Sequence, residues 1–218
     1  MTTRDIQREE TKKRIYDVAF KLFDEFGYDK VKVSDIAKAA NVSVGSVYYH
    51  YKNKEAIIDY GYYEFDQMLK EAYEKQTFNS EREAILFLID FQIKDVFLDI
   101  GLKMTTICFK NQINAENAYL YCDERYLYQK LLENLNNIQH MNKEHAAKMM
   151  LRISRGSIYD WCCHNGSYDL VEAVHEEISI VLDLLVYRKT KVFLFFLFIC
   201  EKIIKLLTSN LLRVTMYI

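Results

Sequence analysis

Not one proline interrupts these 218 residues, and only six glycines do. Proline breaks a helix by lacking a donor and clashing with the turn before it, and glycine by its backbone freedom. A chain so short of breakers is free to form long helices, and the fold class it predicts is all-α. Half of the residues are apolar and 28% charged, the balance of a globular chain rather than a disordered one. Its length suffices for one substantial core or two modest domains.

Caps and breakers divide the chain. Residues 1–10 are polar and predicted to fray. From Thr11, the apolar positions Ile15, Val18, Ala19, Leu22, Phe23 and Phe26 recur at helical spacing, and Gly27 is placed to end that helix. Ser34 reads as the N-cap of a second helix, with Asp35 in the first turn where the dipole favours an acid. Asn41 stands where the chain must turn, since Asn tolerates the left-handed conformation. Ser43 then caps a third helix from Val44 to about Tyr51, and Asn53 a fourth from Lys54 to about Lys75. Ile36, Ala37, Ala40, Val42, Val47 and Tyr51 would close a small core beneath an exposed arc of Tyr48, Tyr49 and His50. A helix–turn–helix of this kind, small and then aromatic along its second helix, suits a DNA major groove.

After QTFNS the breaks at Gly101, NQINAEN and HNGSYD separate further amphipathic helices, predicted over about 81–99, 103–112, 116–138, 143–165 and 168–188. The organisation expected is a helix–turn–helix domain over 1–53, a helical regulatory and dimerisation domain over 54–190, and an atypical apolar tail over 191–218. In that tail, residues 192–200 are uninterrupted apolar before Glu201, Lys202 and Lys205 intrude. So short a run falls well below the ~20 residues that cross a bilayer, so stable membrane insertion is not expected. A buried helix, a subunit contact, a membrane-surface helix and an appendage all remain open for it.

Charge is nearly balanced overall, at −2, but unevenly spread: residues 1–55 carry 11 basic and 9 acidic side chains, and the rest 18 and 22. The positive end is the helix–turn–helix end, though the asymmetry is too mild to identify a nucleic-acid partner. Cys108, Cys122, Cys162, Cys163 and Cys200 form no C-x-x-C pair, and the polar N-terminus lacks a secretory apolar run. Both fit a reducing cytoplasm.

The stretch from Ser34 to Lys54 resembles the DNA-binding domain of the TetR/AcrR family of bacterial transcriptional regulators. The residues that carry the resemblance are Ser34, Ile36-Ala37, the turn Asn41-Val42-Ser43, the run Gly45-Ser46-Val47-Tyr48-Tyr49-His50-Tyr51, and Lys54-Glu55. Asn41 stands where the family usually has Gly, and Tyr51 where it has Phe; the first accepts the turn and the second keeps the ring. The match runs from Ile15 to Ile58, and beyond it the resemblance is one of helix layout and length only. By this resemblance the DNA-contacting positions are Ser34, Ser43, Gly45, Ser46, Tyr48, Tyr49, His50 and Lys54. The chemistry agrees: Gly45 and Ser46 keep the helix start slim, so that backbone amides can approach a phosphate. Tyr48, His50, Ser34 and Lys54 offer donors to phosphate oxygens, and Tyr49 reaches towards a thymine methyl or base edge. Tyr51 reads more readily as a core aromatic than as a contact.

The resemblance further implies a homodimer paired through the last two helices, a near-palindromic double-stranded operator, and a small-molecule effector held in the body. Met149, Ile153, Ile158, Ala173, Ile178, Val181, Leu182 and Leu185 are the apolar positions available for pairing, though most could equally be intrachain core. Phe65, Phe87, Phe91, Phe109, Tyr119, Tyr126, Trp161, Cys108 and Cys122 are available to line a pocket. Aromatics at helical spacing are more often core, so none is assigned to a ligand. Trp161-Cys162-Cys163-His164 lacks zinc spacing, His175-Glu176-Glu177 has no second His, and no P-loop, G-x-G-x-x-G or G-x-S-x-G occurs. No metal, cofactor or enzymatic activity is expected. The function predicted is a DNA-binding regulator, most simply a repressor released by its effector. The alternative is a helical protein acting through partner or membrane-surface binding by its apolar tail.

Overall fold

The computed structural model describes residues 2–114, 120, 122–138 and 141–186; the tail predicted over 191–218 lies outside them. Among the described residues every regular element is helical: α1 Thr3–Phe26, α2 Val33–Ala39, α3 Val44–His50, α4 Lys54–Glu74, α5 Glu81–Gln92, α6 Gly101–Asn114, α7 Tyr126–Asn134, α8 Lys143–Cys163 and α9 Leu170–Val186. A π-helical turn, Ile93–Leu98, prolongs α5. None of these helices is long and apolar enough to cross a membrane.

Two starts differ from those read in the sequence. α1 begins at Thr3 rather than near Thr11, because Thr2 and Asp5 form a reciprocal capping box that holds the polar first turns in a helix. α2 begins at Val33, with Lys32 as the capping residue and Ser34 already inside the helix and exposed. Asp35 displaces Ser34 from the capping role by accepting from the Lys32 amide at 2.8 Å. The turn itself is as expected, with Asn41 left-handed at φ 54° and the Val42 amide donating back to the Ala37 carbonyl at 3.0 Å.

Two apolar cores result, and α4 serves both. Ile15, Ala19 and Phe23 of α1 meet Ile36, Ala37, Val47 and Tyr51 over Ile57, Ile58 and Tyr62 of α4, and Met104 and Cys108 of α6 close this core from below. Further along the same helix, Phe65 and Leu69 join a larger core with Leu88, Ile89, Leu131, Met150, Ile158, Val174 and Ile178. Asn111 and Gln112 of α6 clasp Asp59 of α4 at 2.9 and 2.7 Å. α4 is thus a beam common to the helix–turn–helix head, called the reading head below for its proposed role, and the body.

The helix predicted over 116–138 is the clearest miss. Within the described part, α7 occupies only 126–134. Its start is dictated by Asp66 of α4, which pairs with the Arg125 guanidinium at 3.1 Å and accepts from the Tyr126 amide at 3.2 Å. A buried partner about 60 positions earlier leaves no local periodicity to read. The ring-rich interior is core: Tyr73, Phe78, Phe87, Phe91 and Phe65 pack in a chain with centroids 4.9–6.2 Å apart. Of the pairing positions, Ile158, Ile178, Leu182 and Leu185 are buried within the chain, whereas Met149, Ile153, Ala173 and Val181 are half-buried.

Candidate nucleic-acid interface

The second helix of the helix–turn–helix owes its start to Ser43, whose hydroxyl accepts from the Ser46 amide at 3.0 Å. One turn of exposed, small residues follows, with Gly45 open to solvent and Ser46 half-buried. Val47 and Tyr51 point inward at 1% and 3% exposure, and the Tyr51 hydroxyl donates to the Lys12 carbonyl of α1 at 2.9 Å. Tyr51 is a core residue. Pinning Val47 and Tyr51 forces the residues between them outward, so Tyr48 is 54% and Tyr49 72% exposed. Large exposed tyrosines on a short, capped helix are costly to leave bare and well suited to a groove.

His50 lies at the edge of this arc, its ring edge-on to Tyr49 at 5.0 Å. Partial burial, then the charge of Lys12, hold its imidazole below the ordinary range; Glu9 pulls the other way, and Arg8 adds a lesser downward push. The first turns of α1 therefore lie beside the end of α3, and Arg8 belongs to this neighbourhood. Reading the sequence missed that; the signal was the Thr2–Asp5 spacing, a capping box just before the helix. The positive footprint is thin. Lys32, Lys38 and Lys52 are exposed, but Lys13 is engaged by Glu64 at 3.0 Å and Asp17 at 3.2 Å, and Lys12 lies over the Tyr60 ring at 4.3 Å.

Lys54 is placed differently from the other candidates. Its ammonium donates to the carbonyls of Tyr28 at 2.8 Å and Val31 at 3.0 Å and sits 4.2 Å from the centre of the Tyr28 ring. The first residue of α4 therefore ties down the connection between α1 and α2. Ser34 is exposed on the first turn of α2. Among the described residues, no group of three His, Cys, Asp or Glu side chains is arranged to hold a metal.

Fold and surface together define a helix–turn–helix protein with a larger helical body. Residues 15–60 match the bacterial regulatory proteins of the tetR family. Over 46 residues the chain is 50% identical to IcaR, the negative transcriptional regulator of the biofilm operon icaADBC in Staphylococcus epidermidis, an alignment covering 21% of this chain and 25% of that protein. It is 42% identical over 48 residues to the transcriptional regulator AcrR of Shigella flexneri, covering 22% of each. The chain thus spans about a quarter of the length of these curated relatives. In shape the likeness extends further. Thermus thermophilus FadR, a TetR-family repressor solved with lauroyl-CoA, superposes with a TM-score of 0.59 at 19% identity, covering 82% of this chain and 96% of that one. A transcriptional regulator from Rhodococcus sp. Rha1 gives 0.61 at 17%, covering 81% and 98%. At such identities the likeness speaks to the fold alone. Residues 15–60 are thus similar to the DNA-binding segment of tetR-family regulators, and the helical body shares their fold.

Proposed function

We propose that this protein is a repressor that binds a near-palindromic operator as a homodimer and leaves it when a small ligand enters its body. The observation that carries the DNA-binding part is the arc of Tyr48 and Tyr49, held outward by buried Val47 and Tyr51 on a helix capped by Ser43. Tyr48 and His50 donate to phosphates, the slim start at Gly45 and Ser46 brings backbone amides close to the strand, and Tyr49 reaches a base edge. Ser34 adds a phosphate contact from α2. Lys54 acts by holding α4 to the head, with its charge near the groove wall.

Few cations per head make a second head necessary for affinity. The exposed side chains Ile180 and Leu184 of α9, beside half-buried Ile153 of α8 and Ala173, offer an apolar face on which two copies can pair. The working division is a reading domain over 1–53 and a regulatory and dimerisation domain over 54–190, followed by the tail. Ligand release is a shift between two spacings of the heads, one of which fits successive major grooves. The acyl-CoA complex of a fold neighbour supports a ligand-responsive body.

Selection of bound fragments from the source's genomic DNA tests this directly. The expected outcome is enrichment of a site with two inverted halves about one helical turn apart. Tyr48→Ala should lose that enrichment while keeping its helical circular dichroism. A folded Tyr48→Ala protein that binds the selected site as tightly as the parent overturns the interface.

A further inference from the structure

Residues 3–14 precede the first buried side chain of α1, Ile15, and none of them is itself buried. At ~1.5 Å per residue they carry the helix about 18 Å beyond its own core. A polar segment of this length is marginal as a helix by itself. The capping box of Thr2 and Asp5 closes its free end. Its base is fixed to the end of α3, where the Lys12 carbonyl accepts from the Tyr51 hydroxyl at 2.9 Å. Counting ~100° per residue back from Ile15, Thr11, Arg8 and Arg4 all fall within about 40° of it. They continue the stripe of Ile15 and Ala19 that meets Ile36, Val47 and Tyr51, past the point where that core ends. Where a buried stripe would carry apolar side chains, two exposed arginines stand instead. The acids of the overhang, Asp5, Glu9 and Glu10, fall at least about 80° away from Ile15 by the same count. Asp5 is held in the cap, and Glu9 stands near Tyr51 and Tyr60.

We propose that Arg4 and Arg8 form a second DNA-contacting element, their guanidinium groups gripping backbone phosphates beside the groove that α3 enters. The proposal rests on the reading of the Tyr48–Tyr49 arc as a DNA surface, and it deepens that reading. The stripe is continuous with the proposed interface. Arg8 and Lys12 lie close enough to His50, the proposed phosphate donor at the end of α3, to act on its imidazole. The stripe is also complementary in charge, since duplex DNA carries one negative charge per ~1.7 Å of its axis. A guanidinium presents a planar fork that fits two phosphate oxygens at once. Arg8 is held only loosely where it is. Its ion pair with Glu9 is 3.4 Å long, between side chains that are 54% and 40% exposed, and a phosphate readily replaces such a partner. Arg4 lies one turn further out, ~6 Å along the helix axis, so the two reach different phosphates. The capping box then serves DNA binding as well as the fold, because it keeps the overhang helical and both arginines in phase.

The test uses the full chain and the selected operator, with fluorescence anisotropy across a salt series. Arg4→Gln with Arg8→Gln should keep the parent's circular dichroism, since both side chains are exposed. It should lower operator affinity at least about tenfold at ~0.15 M salt, and flatten the plot of log affinity against log salt by about one unit per arginine in each bound subunit. The loss should be alike for operators of different sequence, because phosphates carry no sequence information. Arg14→Gln with Lys21→Gln removes two charges from the outer face of α1, about 100–120° from the stripe, and should change affinity less than about twofold. Arg4→Lys with Arg8→Lys keeps both charges and should recover most of the affinity. An arginine-to-glutamine pair that loses no more than the outer-face pair, or leaves the salt slope unchanged, overturns the proposal. So does a lysine pair that recovers nothing, which would place the arginines in the fold rather than on DNA. Tyr48→Ala in the same assay separates the stripe from the arc. If Tyr48→Ala releases the operator and the arginine pair has no effect, the arc stands and the stripe falls. If the arginine pair has its effect and Tyr48→Ala has none, the stripe stands and the arc falls. A parent protein that binds no DNA overturns both.

Discussion

Tyr48 and Tyr49 differ from Tyr51 only in where the helix turns them, yet this decides which are available to DNA. The hydroxyl of Tyr51 is spent on the Lys12 carbonyl, so Tyr51→Phe should cost about 1 kcal/mol of stability and leave operator affinity nearly unchanged, as paired denaturation and binding curves would show. Lys54→Ala should behave otherwise. Because its ammonium bonds two carbonyls of the reading head, removing it should lower stability as well as affinity. A variant that loses affinity with an unchanged melting curve would show the structural bonds to be idle. His50 supplies a pH dependence. Its imidazole is held below its ordinary value of 6.5, so the free fold prefers it neutral and loses stability as pH falls below about 6.5. If His50 meets DNA as proposed, phosphates nearby favour the protonated ring and raise its pKa on the operator. DNA binding then takes up a proton, and affinity should rise as pH is lowered from 7.5 towards 6. His50→Gln should flatten that profile in a buffer series at constant ionic strength.

At the scale of elements, the turn between α2 and α3 and the start of α7 show two ways of ending and beginning helices. The first is local: Asn41 at φ 54° takes the left-handed residue. Asn41→Ala should destabilise the head by about 1–2 kcal/mol and Asn41→Gly much less, which chemical denaturation of both variants would separate. The second is tertiary, resting on the buried Asp66–Arg125 pair, whose side chains are 5% and 2% exposed. Arg125→Met leaves a buried carboxylate uncompensated and should cost about 3–5 kcal/mol, whereas Asp66→Leu with Arg125→Met should recover much of it. A double variant as unstable as the single one would mean the pair itself, rather than the orphaned charge, holds α7 in place.

For the whole molecule, the proposed function links the bare apolar side chains of α8 and α9 to the thin positive footprint of the helix–turn–helix head. A head with so few cations gains affinity by being tethered to a second one, because the second contact is then intramolecular. Ile180→Glu with Leu184→Glu places charges on side chains that are 53% and 59% exposed, so each chain should still fold. Sedimentation should show a monomer, and operator affinity should fall by more than tenfold. A variant that stays dimeric would move the pairing face elsewhere.

Local signals carried the reading head. Absent prolines, Asn41, Ser43, Asn53 and the spacing of Ile36, Val47 and Tyr51 all act within a few positions of where they are written, so the sequence by itself determined a helical chain, its turn and the outward tyrosines. Capping was legible where the side chain bonds its own neighbours, and misread at Ser34, where Asp35 made the competing bond. What the tertiary structure alone decided are features built from residues far apart. They include the inward set of Lys54, the shared role of α4, the late start of α7 under Asp66, and the setting of Arg8 beside His50. The physical reason is range. A cap or a stripe obtains its energy from residues three or four positions away, whereas a buried ion pair or a bond from α3 to α1 exists only once packing has brought separate helices into contact.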